Sequence, residues 1–168
     1  SIAKLVDDNA GSNNHWHSDY SGGDKINGSH YIVANLGEST PSLLSFDYAR
    51  RKDVANDHTT RWAVYGVPSD ETNITENSRN GLTLLAIIST PYTSHSESFE
   101  NLPPFKTQGF KKFRIYSEAT NQNRGYFHIG ELQLNANTIA DSNTDNVKEL
   151  ATAVAEAEAL ETVTQADI

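Results

Sequence analysis

The chain has 168 residues and a net charge of −9; 36% of residues are hydrophobic, 21% are charged, and cysteine is absent. That length suits one domain with an appendage, and the composition is globular rather than disordered. The missing cysteines exclude disulfides, thiolate zinc sites and cysteine nucleophiles, no apolar run approaches the roughly 20 residues of a membrane helix, and the acidic balance lacks the basic excess of a nucleic-acid binder.

Residues 1–30 are rich in Asn, Asp, Ser and Gly and predict a loop. Short strand-like runs follow: YIVANL (31–36), LLSFDY (43–48), RWAVYGV (61–67), LTLLAIIS (82–89), KKFRIYS (111–117) and YFHIGELQL (126–134). LTLLAIIS is nearly all apolar, the pattern of a strand buried on both faces. Turn-rich loops such as PSDETNITENSRNG (68–81) separate them. Many short β runs without helical periodicity predict an all-β fold, an antiparallel sandwich or barrel. Arg50-Arg51-Lys52 and Lys111-Lys112 read as solvated surface clusters.

The character changes near residue 140. Residues 1–140 hold 12 basic and 15 acidic groups, whereas 141–168 hold 1 and 7, with no Gly, Pro or aromatic residue. Val147, Leu150, Val154 and Ala157 recur at helical spacing, and Asn146 with Glu149 matches a capping box. The division is therefore 1–140, a β domain, and 141–168, an amphipathic α-helical tail. The tail either begins a further helical module or docks on the β domain. The chain carries neither an initiator Met nor a signal-peptide pattern, which reads as a piece of a longer protein.

The stretch NNHWHSDYSGG (13–23) carries the densest chemistry. On a strand, His15 and His17 share a face. An H-x-H pair can hold zinc only with further protein ligands, here from His30, His58, His95 or His128, and no spacing selects among them. No G-x-S-x-G elbow occurs, and no pair of carboxylates is marked for glycoside hydrolysis. Trp16 is expected to plug the core, leaving His17 at a loop edge. Glu131 lies inside an apolar run, where a carboxylate is costly unless cations or donors compensate it. Asp7, Asp8, Asn9 and Asn14 supply hard oxygen ligands nearby in the N-terminal loop. A calcium ion shared by Glu131 and that loop is the expectation; the alternative is a Glu131 exposed at a strand end.

Taken in order, LVDDNAGSNNHWHSDYSGG, HYIVANLG, FDYARRKD, NDHTTRWAVYGV, KKFRIYSEA and GYFHIGELQL resemble the discoidin-like, coagulation-factor type C superfamily. Within it, family 32 carbohydrate-binding modules are the more similar group. The resemblance spans about residues 3–136. It implies a jelly-roll β-sandwich with calcium near the joined termini and a sugar site on loops at one end. His17 and Arg51 would contact sugar hydroxyls, with Arg50 the neighbouring alternative; Asn56 would join them, and Tyr20 would lie at the same rim. Tyr126 would stack on the sugar, with Phe127 second. For the metal, Asp8 stands first, Asp7 is its alternative, and Asn14 falls in the place of the family's threonine. Planar Arg and Asn donors, an amphoteric His and an aromatic face are chemistry that suits a pyranose.

The implied function is non-catalytic: a module that targets a larger secreted or surface bacterial glycan-processing protein, such as a glycoside hydrolase, to terminal galactose-type or N-acetylhexosamine sugars. The expected partners are glycans and other domains of the same polypeptide, with no membrane insertion, an extracytoplasmic location and a monomeric state. The competing expectation is a protein-interaction or adhesion domain of the same fold without sugar binding.

Overall fold

The computed structural model describes residues 2–7, 9, 11, 13–18, 30–72, 74, 78–94 and 98–137. The helix expected over 141–168, the division at 140, and Asp8, Tyr20 and His95 all lie outside those residues.

A short 3-10 turn, Ile2–Leu5, precedes ten strands: β1 Trp16–His17, β2 Tyr31–Asn35, β3 Leu43–Ala49, β4 Thr59–Val67, β5 Thr83–Ser89, β6 Phe99–Asn101, β7 Phe105–Lys106, β8 Lys112–Thr120, β9 His128–Ile129 and β10 Glu131–Asn137. One antiparallel sheet has the order β2-β8-β4-β5. The other has the order β10-β3-β6, with β7 also pairing β3. β1 and β9 form a separate two-stranded ribbon.

Period-2 alternation builds the core between the sheets. Leu44, Phe46 and Tyr48 of β3 and Phe113 and Ile115 of β8 are buried. Trp62 of β4 lies among them, edge-on to Phe46, Tyr48 and Phe127 at centroid distances of 5.6, 5.3 and 6.1 Å. Fully burying an aliphatic or Phe side chain contributes about 1.5–3 kcal/mol, so this cluster dominates the stability of the sandwich.

Two expectations are corrected. The run at 82–89 is not buried on both faces: β5 is an edge strand, paired only with β4 in its sheet, with Leu84 and Ile87 half-exposed. An apolar run alone cannot tell a central strand from an edge. The run at 126–134 is two strands, not one. Gly130 breaks it, and its N–H donates to the Ala49 carbonyl at 2.8 Å. A Cβ there would meet the Arg50 carbonyl oxygen at 2.9 Å, so only glycine permits the close approach. The break sends β9 to the ribbon and β10 to β3.

Candidate functional site

The ribbon brings the N-terminal histidines against the end of the chain's β domain. His17 is paired with His128 and Trp16 with Ile129. Trp16 packs edge-on to Phe127 at 5.4 Å, as expected of a core plug. Just beyond the ribbon, Ser18 and Phe127 exchange two hydrogen bonds: Ser18 N–H donates to the Phe127 carbonyl and Phe127 N–H donates to Ser18 Oγ, both at 2.9 Å. These bonds fix the backbone of Tyr126, whose ring stacks on His17 at 5.7 Å and 29°. His17 Nδ1 lies 2.5 Å from the Ser18 carbonyl, which can only accept. Nδ1 therefore carries a proton.

Arg51 is held as a fork. Its Nε and Nη2 donate to the two carboxylate oxygens of Asp53 at 2.5 and 2.9 Å. The Arg51 guanidinium holds the Asp53 carboxyl well below the usual carboxylate range. Asn56 is exposed, and its Oδ1 accepts from Gln122 Nε2 at 2.5 Å. Asn121 donates to Ala55 and accepts from His58 N–H, so the 54–58 loop and the 121–126 loop are laced together. His17, Arg51, Asn56 and Tyr126 thus gather at one end of the sandwich.

Arg124, which sequence reasoning missed, joins them together with Asp57, the neighbour of Asn56. Arg124 Nη1 donates to the Tyr126 hydroxyl at 2.9 Å and reaches Asp57 Oδ2 at 3.5 Å. Asp57 adopts a left-handed backbone, φ 60°, and is only 5% exposed. Burial raises its carboxyl pKa against the opposing pull of Arg124. No sequence signal marks Arg124, because an arginine in the polar run TNQNRG reads as a solvated loop residue.

Behind the rim lies a group of imidazoles. His58, His17 and His15 surround His128 at 4.8, 5.5 and 6.4 Å. His58 also stacks on Tyr92 at 5.2 Å and 9°. Burial, reinforced by the neighbouring His58 and Arg51, pushes the His128 pKa down to about 3. Burial lowers that of His15 as well, with Arg51 adding to it. Among the described residues, no three His, Asp or Glu side chains are arranged to hold a metal ion.

Two expected contacts are overturned by burial. Phe127 is fully buried against Trp16 and Trp62, so its face is closed to any ligand. Arg50 is only 3% exposed. It donates to the Thr90 carbonyl at 3.3 Å, pairs with Glu100 and lies over the rings of Tyr48 and Tyr92. It is a structural clamp and not part of a solvated basic face. Alternation in chain order placed neighbouring residues on opposite sides of the wall, and sequence alone had left the choice open.

The N-terminal loop does meet Glu131. That carboxylate is 2% exposed and accepts the Asn9 N–H at 3.0 Å, so it is not an exposed strand end. Asn14 Nδ2 donates to both carboxylate oxygens of Asp7, at 2.8 and 3.1 Å, and to the Asn9 carbonyl at 2.5 Å. Asp7, Glu131 and the Asn9 carbonyl bring oxygen atoms of the kind calcium accepts to this loop, while the Asn14 amide faces Asp7 and Asn9 with its N–H donors.

No protein-family model matches the sequence, and no curated protein matches it. The fold does match solved structures. A family 32 carbohydrate-binding module (CBM32-3) from a family 31 glycoside hydrolase of Clostridium perfringens superposes with a TM-score of 0.56 at 20% identity, covering 81% of this chain and 82% of that one. A SusE-like protein superposes with a TM-score of 0.52 at 18% identity, covering 81% of this chain and 57% of that chain. The domain therefore has the discoidin-like β-sandwich fold of that carbohydrate-binding module.

Proposed function

We propose that this domain is a non-catalytic carbohydrate-binding module. The observation that carries the reading is the His17–Tyr126 stack at one end of a sandwich with this fold, with Asn56 bonded to Gln122 of the loop leading to Tyr126 and Arg51 within electrostatic reach of His128. His17 Nε2 bonds a sugar hydroxyl, Arg51 and Asn56 donate to others, and Tyr126 covers an apolar C–H face. The ligands are terminal galactose-type or N-acetylhexosamine sugars. A site of one or two sugar units binds with a Kd on the order of 10 μM to several mM. Its role is to hold a larger secreted or surface bacterial glycan-processing protein near its substrate, where tethering raises avidity. Among the described residues, no helix is long and apolar enough to cross a membrane.

A structural calcium ion belongs to the same reading. Asp7, Asn14 and Glu131, with the Asn9 carbonyl, would hold it, and Asp8 would complete the set. The ion would neutralise the buried Glu131 and tie the first loop to β10.

A second reading, a protein-interaction domain, draws on a different feature. An open apolar groove of about 450 Å3 is lined by Leu5, Val6, Ile32, Val33, Phe99 and Leu134, among others. Four of these, Val6, Val33, Phe99 and Leu134, are substantially exposed.

The test is an amide NMR titration of the chain with galactose and with N-acetylglucosamine. Saturable shifts confined to His17, Arg51, Asn56 and Tyr126 are expected. Silence toward both sugars in calcium-containing buffer would remove the sugar reading and favour the groove.

A further inference from the structure

The two arginines at the rim are in different states. Arg51 uses its Nε–Nη2 edge on Asp53. Arg124 is anchored through the other corner of its guanidinium. Nη1 bonds the Tyr126 hydroxyl and reaches Asp57, while the Cζ lies 5.9 Å from the Tyr126 ring centre. Its Nε and Nη2 donate to no protein group among the described residues, and the side chain is 45% exposed. A guanidinium whose plane is fixed at one corner and whose paired N–H edge is unspent is set up for bidentate capture of a planar or tetrahedral oxyanion.

We propose that Arg124 is a further ligand-contacting residue of this site, and that its Nε–Nη2 edge reads an oxyanion substituent, a carboxylate or a sulfate ester, on the sugar held against Tyr126. This assignment rests on the sugar-binding reading above. Asp57 is the positioning residue. Its backbone is pinned, its N–H-bearing neighbour His58 is tied to Asn121, and its carboxylate is buried beneath the rim, so it orients Arg124 without being offered to the ligand. Both guanidiniums are ion-paired, Arg51 with Asp53 at 2.5 Å and Arg124 with Asp57 at 3.5 Å. They differ in the edge left over: Arg51 has its Nε–Nη2 pair on Asp53, whereas Arg124 is held through Nη1. Asn56, whose Oδ1 accepts from Gln122, adds no charge.

The experiment titrates the full chain with galactose, galacturonate and galactose 6-sulfate, for the wild type, Arg124→Gln and Arg124→Lys. The readout is the ratio of galactose Kd to acidic-sugar Kd, not either affinity. In the wild type at least one acidic sugar should bind about tenfold tighter than galactose, the carboxylate arm and the sulfate arm telling the two sources apart. Added salt should shrink that ratio. Arg124→Gln should bring it close to one, and Arg124→Lys should keep only part of it, because an ammonium has charge but no fork. Galactose binding with no preference for either acidic sugar overturns the role of Arg124 alone. So does an Arg124→Gln variant that weakens all three sugars by the same factor, which would make Arg124 a prop for Tyr126. No binding of any of the three overturns the sugar-binding reading and this role with it.

Discussion

His17 and Tyr126, separated by more than a hundred residues, lie with their rings 5.7 Å apart and 29° from parallel. The next residue, Phe127, turns to the opposite side and is fully buried. The pair Tyr126–Phe127 therefore divides labour across the wall of the sandwich, and substitution should separate the two roles. Tyr126→Ala is expected to weaken sugar binding several-fold, about 1 kcal/mol, while leaving stability within about 1 kcal/mol. Phe127→Ala is expected to cost about 3–5 kcal/mol of stability through the cavity it leaves. Titration and urea denaturation of both variants check this. Equal effects of the two substitutions on binding at full occupancy of the folded state would contradict the division.

Asp53 should matter for binding more than for folding. Its bond to Arg51 is at the surface, where such pairs contribute about 0–1 kcal/mol. Asp53→Asn should leave the denaturation midpoint almost unchanged. It should lower galactose affinity several-fold, because the Arg51 fork is no longer held in one orientation. A rise in affinity would mean that Asp53 competes with the ligand for Arg51.

The buried imidazole of His128 makes stability depend on pH. Its folded pKa, about 3, is far below the ordinary value near 6.5. Above pH 6.5 neither state holds the proton and nothing is lost. Below it the unfolded chain takes up a proton that the folded one refuses, so stability falls at up to about 1.4 kcal/mol per pH unit until pH approaches 3. His15, also lowered by burial, acts in the same sense. Asp57 acts in the opposite sense, because its raised pKa favours the folded state as it is protonated. The expected net result is a loss of about 1–2 kcal/mol between pH 7 and pH 5. In His128→Phe the denaturation free energy should be flatter over that range; an unchanged slope would exclude His128 as its source.

If the N-terminal loop holds calcium, the ion stabilises only the folded state. Millimolar calcium should raise the melting midpoint relative to excess chelator, by an amount equivalent to about 2.7 kcal/mol at a hundredfold excess over Kd. Glu131→Gln should abolish that increment. A wild-type midpoint indifferent to calcium and chelator alike would leave Glu131 compensated by Asn9 N–H and other protein donors.

Much of the β framework was legible from short apolar runs, most of them alternating. Strands over 31–35, 43–49, 59–67, 83–89 and 112–120 lie on the apolar runs that predicted them, because a pleated strand exposes period 2 directly in the sequence. β6 and β7, only three and two residues long, carry no such signal beside Pro103 and Pro104. The resemblance carried by HWHS, YARRKD and GYFHIGELQL implied which loops would form the site. Which face each side chain takes was settled elsewhere. Arg50 turned inward to Tyr48 and Tyr92 while Arg51 remained at the rim. The break at Gly130 separated the ribbon from β10, and β5 became an edge. Arg124 bonds Tyr126 two residues on, and Asp57, 67 residues earlier, lies across from the same guanidinium nitrogen. Local pattern is encoded by neighbours in the chain. Burial, pairing partners and the sharing of one guanidinium between two loops depend on residues far apart in sequence, and only the packed sandwich brings those together.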